Sequence, residues 1–202
     1  MSGSVVLSTS YLAPAEYFSL ILAADDILIE REENYHKQTY RNRCLILTGN
    51  GMQILTVPVY LGSIHKTPIR DIRIDYSKRW QQVHLRAFIA SYRSSPYFQF
   101  YFERFESIIL ENHELLIDLN SRLTDAVADI LGIKKTISFT TTFVPPGELI
   151  NDYRYNISPK KKSSYRYKKY TQVFRHDEAF IGGLSIVDLL FNMGPEAIFY
   201  LR

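Results

Sequence analysis

The stretch Asn34-Tyr35-His36-Lys37-Gln38-Thr39-Tyr40-Arg41-Asn42-Arg43 holds three cations, two asparagines, a glutamine, a histidine and two tyrosines. Apolar runs flank it, Ile27-Leu28-Ile29 before and Cys44-Leu45-Ile46-Leu47 after. So dense a set of donors suits an anion or a polar small molecule. Lys37, Arg41 and Arg43 would neutralise charge, while Asn34, Asn42 and the Tyr35 phenol would fix orientation. His36 sits among them as a candidate proton carrier, because imidazole titrates near neutrality. A solvated polar loop is the plain alternative, and the residue types leave both readings open.

A second candidate base is His84, one helical turn after Trp80. There an indole could face a sugar ring beneath the imidazole, although such a pair on a helix face serves packing just as well. No pair of histidines with a carboxylate has metal-ligand spacing, and His65, His113 and His176 are scattered, so neither a metal nor another cofactor is expected. Cys44 lies in an apolar run and reads as core, with no second cysteine to form a disulfide. Residues 151–169 interleave Tyr153, Tyr155, Tyr165 and Tyr167 with Lys160-Lys161-Lys162 and Lys168-Lys169. Cations beside aromatics can track a single nucleic-acid strand, or they can close over an anionic substrate as a lid.

These residues need elements to hold them. Val5 to Ser8 reads as a buried strand, residues 14 to about 24 as a helix opened by Pro14, and Ile27 to Glu30 as a second strand. A strand-helix-strand unit favours parallel pairing, with ligands at the carboxyl ends of the strands. Tyr11 and the 32–43 segment should therefore meet on one rim. Cys44 to Thr48 and Gln53 to Tyr60 read as a hairpin turned at Gly49-Asn50-Gly51, with Pro58 at an edge. Arg70 to Asp75 alternates like a half-exposed strand. Helices follow from Ser77, an expected N-cap, to about Leu131, ended by Gly132. Ile137 to Val144 should return to the sheet. Residues 151–169 are expected to form an exposed loop, Tyr170 to Phe174 a last strand, and Ser185 to Asn192 a short helix. The expectation is an α/β fold: a mixed sheet with the N-terminal strand-helix-strand unit, a hairpin, and a helical segment over about 77–131 packed on it.

The chain has 202 residues, enough for one domain, in which 77–131 could form a helical subdomain. Its net charge of +3 is mild, and the cations are concentrated only around 160–169, which argues against general nucleic-acid binding. No signal-peptide pattern and no apolar run of roughly 20 residues is present, and the single cysteine suits a reducing compartment. Cytoplasmic location without membrane insertion is the expectation, while oligomeric state is not legible.

Several stretches together resemble the WbqC-like protein family, in its Bacteroides-type branch. They are Ser10-Tyr11-Leu12-Ala13-Pro14 with Tyr17-Phe18, Glu33 to Cys44, Leu55-Thr56-Val57-Pro58-Val59, Trp80 with His84, and Ala90-Ser91-Tyr92. Ser95-Pro96-Tyr97-Phe98 with Tyr101, Leu131-Gly132-Ile133 and Gly183 to Ala197 continue the likeness. The family is associated with O-antigen and other surface-polysaccharide gene clusters. The resemblance implies a transferase-like protein, with amino-acyl or glycyl transfer to a sugar as one suggestion, acting on an anionic or nucleotide-linked substrate. A non-catalytic binding or scaffold protein of the same pathway is the alternative. It adds Tyr17, Asp188 and Asn192 to the substrate-contacting candidates Tyr11, Asn34, Tyr35, Lys37, Arg41, Asn42, Arg43 and Trp80. Where many members carry His and Gln-Pro before the first Tyr-Leu-Pro, this chain has Ser8, Thr9 and Ser10. A weaker likeness in layout is to the HxGH nucleotidyltransferases. The corresponding turn, Pro14-Ala15-Glu16-Tyr17, lacks histidine, and Glu16 would repel phosphate from the helix start.

Overall fold

The computed structural model describes residues 3–60, 67–148, 151–174 and 180–202. Strand β1 (Ser4–Ser8) is buried from Val5 onward because both of its faces are covered, as its unbroken apolar run requires. Pro14, with φ of −69°, precedes helix α1 (Ala15–Ala23). Strand β2 (Asp26–Glu30) then lies parallel to β1, pairing Val5 with Ile27 and Ser8 with Glu30. On the other side of β2, strand β5 (Ile137–Phe139) is also parallel and pairs Phe139 with Ile29. The sheet order is β1-β2-β5. At the outer edge of β1, Asp152 forms a parallel bridge to Val6. Ser8, Glu30 and Phe139 therefore end on one rim.

Strands β3 (Arg43–Thr48) and β4 (Gly51–Thr56) form a separate antiparallel pair, closed by Thr48 opposite Gly51. Parallel and antiparallel pairing are thus divided between two sheets within the α/β class. Helices α2 (Trp80–Tyr92), α3 (Phe98–Leu110) and α4 (Leu116–Ile130) follow, and Gly132 at φ of +66° ends the last. Helix α5 (Ile186–Met193) and the short α6 (Ala197–Tyr200) complete the chain. One apolar cluster joins Leu7 and Ile29 of the parallel sheet, Ile46 of the hairpin, Phe88, Phe105 and Leu123 of α2 to α4, and Phe191 of α5.

Four local expectations are corrected. Ser77 does not cap α2: its backbone N–H goes to the Asp75 carboxylate, and the helix begins at Trp80. Arg70 to Asp75 is a 3₁₀ turn (Ile69–Asp71) followed by isolated bridges from Arg73 and Ile74, because its two apolar residues are too few for a ladder. Tyr170 to Phe174 forms no strand, since the Gln172 side chain satisfies the Ile181 backbone on both sides. Residues 151–169 are irregular but not simply exposed: Arg154 is 2% exposed and anchors the segment under the rim.

Candidate functional site at the carboxyl ends of the parallel strands

Glu30 closes β2 with no exposed surface, where an unpaired carboxylate would be costly. Its Oε1 accepts from the Thr140 hydroxyl at 2.8 Å and the Glu32 amide at 2.7 Å, and its Oε2 accepts from Arg154 Nη1 at 3.1 Å. Arg154 turns its other edge to Asp152, donating from Nε at 2.9 Å and from Nη2 at 2.6 Å. The Asp152 carboxyl is drawn below its ordinary range: burial opposes this, and the Arg154 bonds outweigh it.

A second buried pair lies alongside. Arg41 donates from Nε and Nη2 to Glu33 Oε1 at 2.9 and 2.6 Å, and Nη2 also reaches the Ser8 hydroxyl at 2.6 Å. The Ser8 hydroxyl donates to the Arg154 carbonyl at 3.0 Å, linking the two pairs. Asn120 of α4 donates to Thr9 Oγ1 at 3.0 Å and the Arg41 carbonyl at 2.8 Å, tying the helical layer to the rim. The Tyr155 ring lies between both guanidinium groups, 5.6 Å from the Arg41 Cζ and 5.9 Å from that of Arg154. Burial, reinforced by the Glu33 carboxylate, pushes its phenol up to about 12.

Above this buried layer is His36, exposed, with its ring edge-on to Tyr155 at 5.4 Å. Its pKa is lowered by partial burial first and then by Arg41 and Lys160, against the pull of Glu33. The shift favours the neutral ring over the imidazolium. Lys160 is exposed beside it and acts on the His36 ring, and Lys37, next in the chain, is exposed. Beside the rim, a cavity of about 70 Å³ runs between the strand ends and α4, lined by Thr9, Tyr17, Ser121, Thr124 and Asp125. Burial, then the nearby Asp129, raises the Asp125 carboxyl above its ordinary range.

The residues singled out from the sequence do not all meet. His36, Arg41 and Tyr17 belong to the rim, where the Tyr17 hydroxyl donates to the Ser8 carbonyl at 3.0 Å, and Lys37 is exposed beside His36 in the chain. Asn34 and Tyr35 precede His36; the Asn34 main chain bridges Pro68, the Tyr35 amide donates to the Thr67 carbonyl, and the Tyr35 phenol senses Arg43 and Arg41. Asn42 turns its amide to the Val57 carbonyl at 2.8 Å, and the half-buried Arg43 keeps an unpartnered Nε. Tyr11, Trp80 and His84 form a separate buried cluster between the hairpin and α2. There the Tyr11 hydroxyl meets His84 Nδ1 at 2.8 Å and the Thr56 backbone carbonyl accepts a ring N–H. That leaves His84 no free nitrogen for a substrate, and burial depresses its pKa to about 4. Asp188 and Asn192 lie buried in α5: Asp188 Oδ1 accepts from Tyr170 at 2.6 Å and Gln172 at 3.2 Å, and Asn192 bonds back to the Asp188 carbonyl.

Sequence reading missed Glu30, Glu33, Asn120, Asp152 and Arg154. Charge at the end of an apolar strand was a usable signal for Glu30. Nothing local points to Arg154, which meets Glu30 across 124 residues. Cys44 is fully buried with its thiol pKa raised by burial. Among the described residues no group of three or more His, Cys, Asp or Glu could hold a metal ion, and no helix is long and apolar enough to cross a membrane. His65 and His176 lie outside the described residues.

No solved structure matches the chain. Across its whole length it is similar to the uncharacterized protein Rv1507c of Mycobacterium tuberculosis, 29% identical over 228 aligned positions that span 100% of this chain and 98% of that protein. The sequence model of the WbqC-like protein family matches residues 9–158, which include Thr9, the polar stretch, α4 and the Arg154–Tyr155 step; the chain belongs to that family.

Proposed function

We propose that the chain is a transferase-like protein of surface-polysaccharide assembly that takes an anionic or nucleotide-linked substrate at the carboxyl rim of its parallel sheet. The observation that carries this reading is His36: an exposed imidazole held against Tyr155, with its pKa lowered by partial burial and by Arg41 and Lys160, where α/β folds collect their ligands. In this reading Lys37 and Lys160 meet the anion, and His36 accepts the proton of the attacking acceptor group. Arg41 acts at one remove. Its fork is committed to Glu33 and Ser8, so it sets the field and the Tyr155 ring rather than gripping the ligand. The saturated bonding of Glu30, Arg154 and Asp152 equally suits a binding protein of the same pathway without turnover.

Thermal-shift titration with nucleotide-linked sugars and with simple phosphorylated acyl donors tests binding, since a ligand bound only to the folded state raises Tm. Lys160→Ala should weaken the best ligand by about tenfold, the cost of one charged contact. His36→Gln should keep that binding and abolish product formation in an assay with sugar acceptors. Turnover retained in His36→Gln overturns the proton-acceptor role, and no shift with any anion overturns the site.

A further inference from the structure

The two edges of the hairpin are treated differently. The Val57 amide bonds to the Asn42 carbonyl at 2.7 Å, which sets the alternation of the ladder. Leu45 and Leu47 then face outward on β3, and both are covered: the Leu45 carbonyl accepts from Ser185 and the Leu47 amide donates to the Tyr92 hydroxyl. On β4 the outward residues are Met52, Ile54 and Thr56. His84 takes the Thr56 carbonyl, and no hydrogen bond of the described residues reaches Met52 or Ile54 from that side. Their side chains are 61% and 52% exposed, and β4 has none of the charges or prolines that usually blunt a free edge.

Beside this edge runs an open groove of about 390 Å³ between β4 and the start of α2. Its far wall is positive. Lys78 and Arg79 are exposed and make no ion pair among the described residues. The carboxylate that senses Lys78, Asp75, is engaged by the Ser77 amide at 2.8 Å. Helix α2 has no side-chain cap and no acid in its first turn, so its leading amides add to that field. Trp80, 4% exposed, lines the same groove, and its Nε1–H has no acceptor.

We infer that this groove is a docking site for an extended acidic peptide, which adds to β4 as a third strand and sets a carboxylate against Lys78, Arg79 and the first turn of α2. Main-chain bonds to Met52 and Ile54 would supply affinity, and the charged end would fix position, as in other strand-addition complexes. Charge chooses the occupant. A second copy pairing β4 with β4 would bring no acidic group from its own β4 or groove wall to the cations, since Gly51 to Thr56 and Lys78 to Arg79 contain none. The site is separate from the rim and does not depend on the function proposed for it.

The test uses the full chain and short fluorescent peptides of alternating valine and threonine that carry glutamate or lysine at either end, each amidated or with a free carboxyl terminus. Fluorescence anisotropy should detect binding of glutamate peptides only, and the amidated set separates a side-chain carboxylate from a terminal one. Arg79→Glu, an exposed change, should weaken glutamate peptides by about tenfold and favour lysine peptides. Methylating alternate backbone nitrogens of the peptide should abolish binding without altering the protein. Equal binding of acidic and basic peptides, undiminished binding after methylation, or no binding of any peptide overturns the inference. So does a concentration-dependent dimer that Ile54→Lys disperses, which would assign the edge to a second copy.

Discussion

His36 and His84 show how one side chain takes opposite uses. His84 is wedged between Trp80 and Tyr11 with ring centroids 5.1 and 5.5 Å away, and burial favours its neutral ring against the opposing pull of the Thr56 carbonyl. Its folded pKa of about 4 lies below the ordinary histidine value of 6.5, so the unfolded chain binds the extra proton first as pH falls. Its contribution to stability is therefore complete above pH 6.5 and is lost on descending to about pH 4. Denaturant unfolding should show a loss on the order of 3 kcal/mol across that window, absent from His84→Gln. His36, exposed, should leave the stability profile nearly unchanged when replaced. Both histidines were conspicuous in the sequence. Their division of labour was not, because the Tyr11 hydroxyl and Thr56 carbonyl that satisfy His84 come from 73 and 28 positions away.

Among the elements, α5 is the one on which others converge. Ser185 caps it by accepting from the Val187 amide, donates its hydroxyl to the Leu12 carbonyl at 2.7 Å, and gives its own amide to Leu45. The start of α1, the hairpin and α5 are thereby joined at one residue. The other end of α5 turns at Gly194, where φ is +55° and an added Cβ would overlap the Tyr97 ring. Gly194→Ala should destabilise the fold by about 1–3 kcal/mol, measured as a lowered urea midpoint, through both the left-handed backbone and the collision. Adding Tyr97→Ala should recover only the steric part. The apolar run of α5 was legible locally, although Ser185, expected within the helix, caps it instead. The meeting of Ser185 with Leu12 and Leu45 was not, since backbone partners leave no trace in side-chain pattern.

Over the whole molecule, the buried charges of the rim hold the 151–157 segment to the parallel sheet. Removing one partner of a buried pair leaves the other uncompensated, so Arg154→Ala should cost about 3–5 kcal/mol, whereas a joint change of Glu30, Asp152 and Arg154 to apolar residues of similar size should cost much less. Limited trypsin digestion provides a second readout: cleavage at Lys160-Lys161-Lys162 should accelerate in Arg154→Ala as the anchor is lost. The sequence by itself determined the strand-helix-strand opening, the hairpin and the helices that follow it, the α/β class, the core identity of Cys44 and the concentration of polar groups between Asn34 and Arg43. Periodicity, turn residues and composition act over a few neighbours and are written locally. Tertiary structure alone decided that Arg41 is spent on Glu33, that Arg154 is buried beneath Glu30, and that Tyr11, Trp80 and His84 stand apart from the rim. Those outcomes follow from the parallel stacking of β1, β2 and β5, which brings distant charges to one edge where low dielectric forces them to pair.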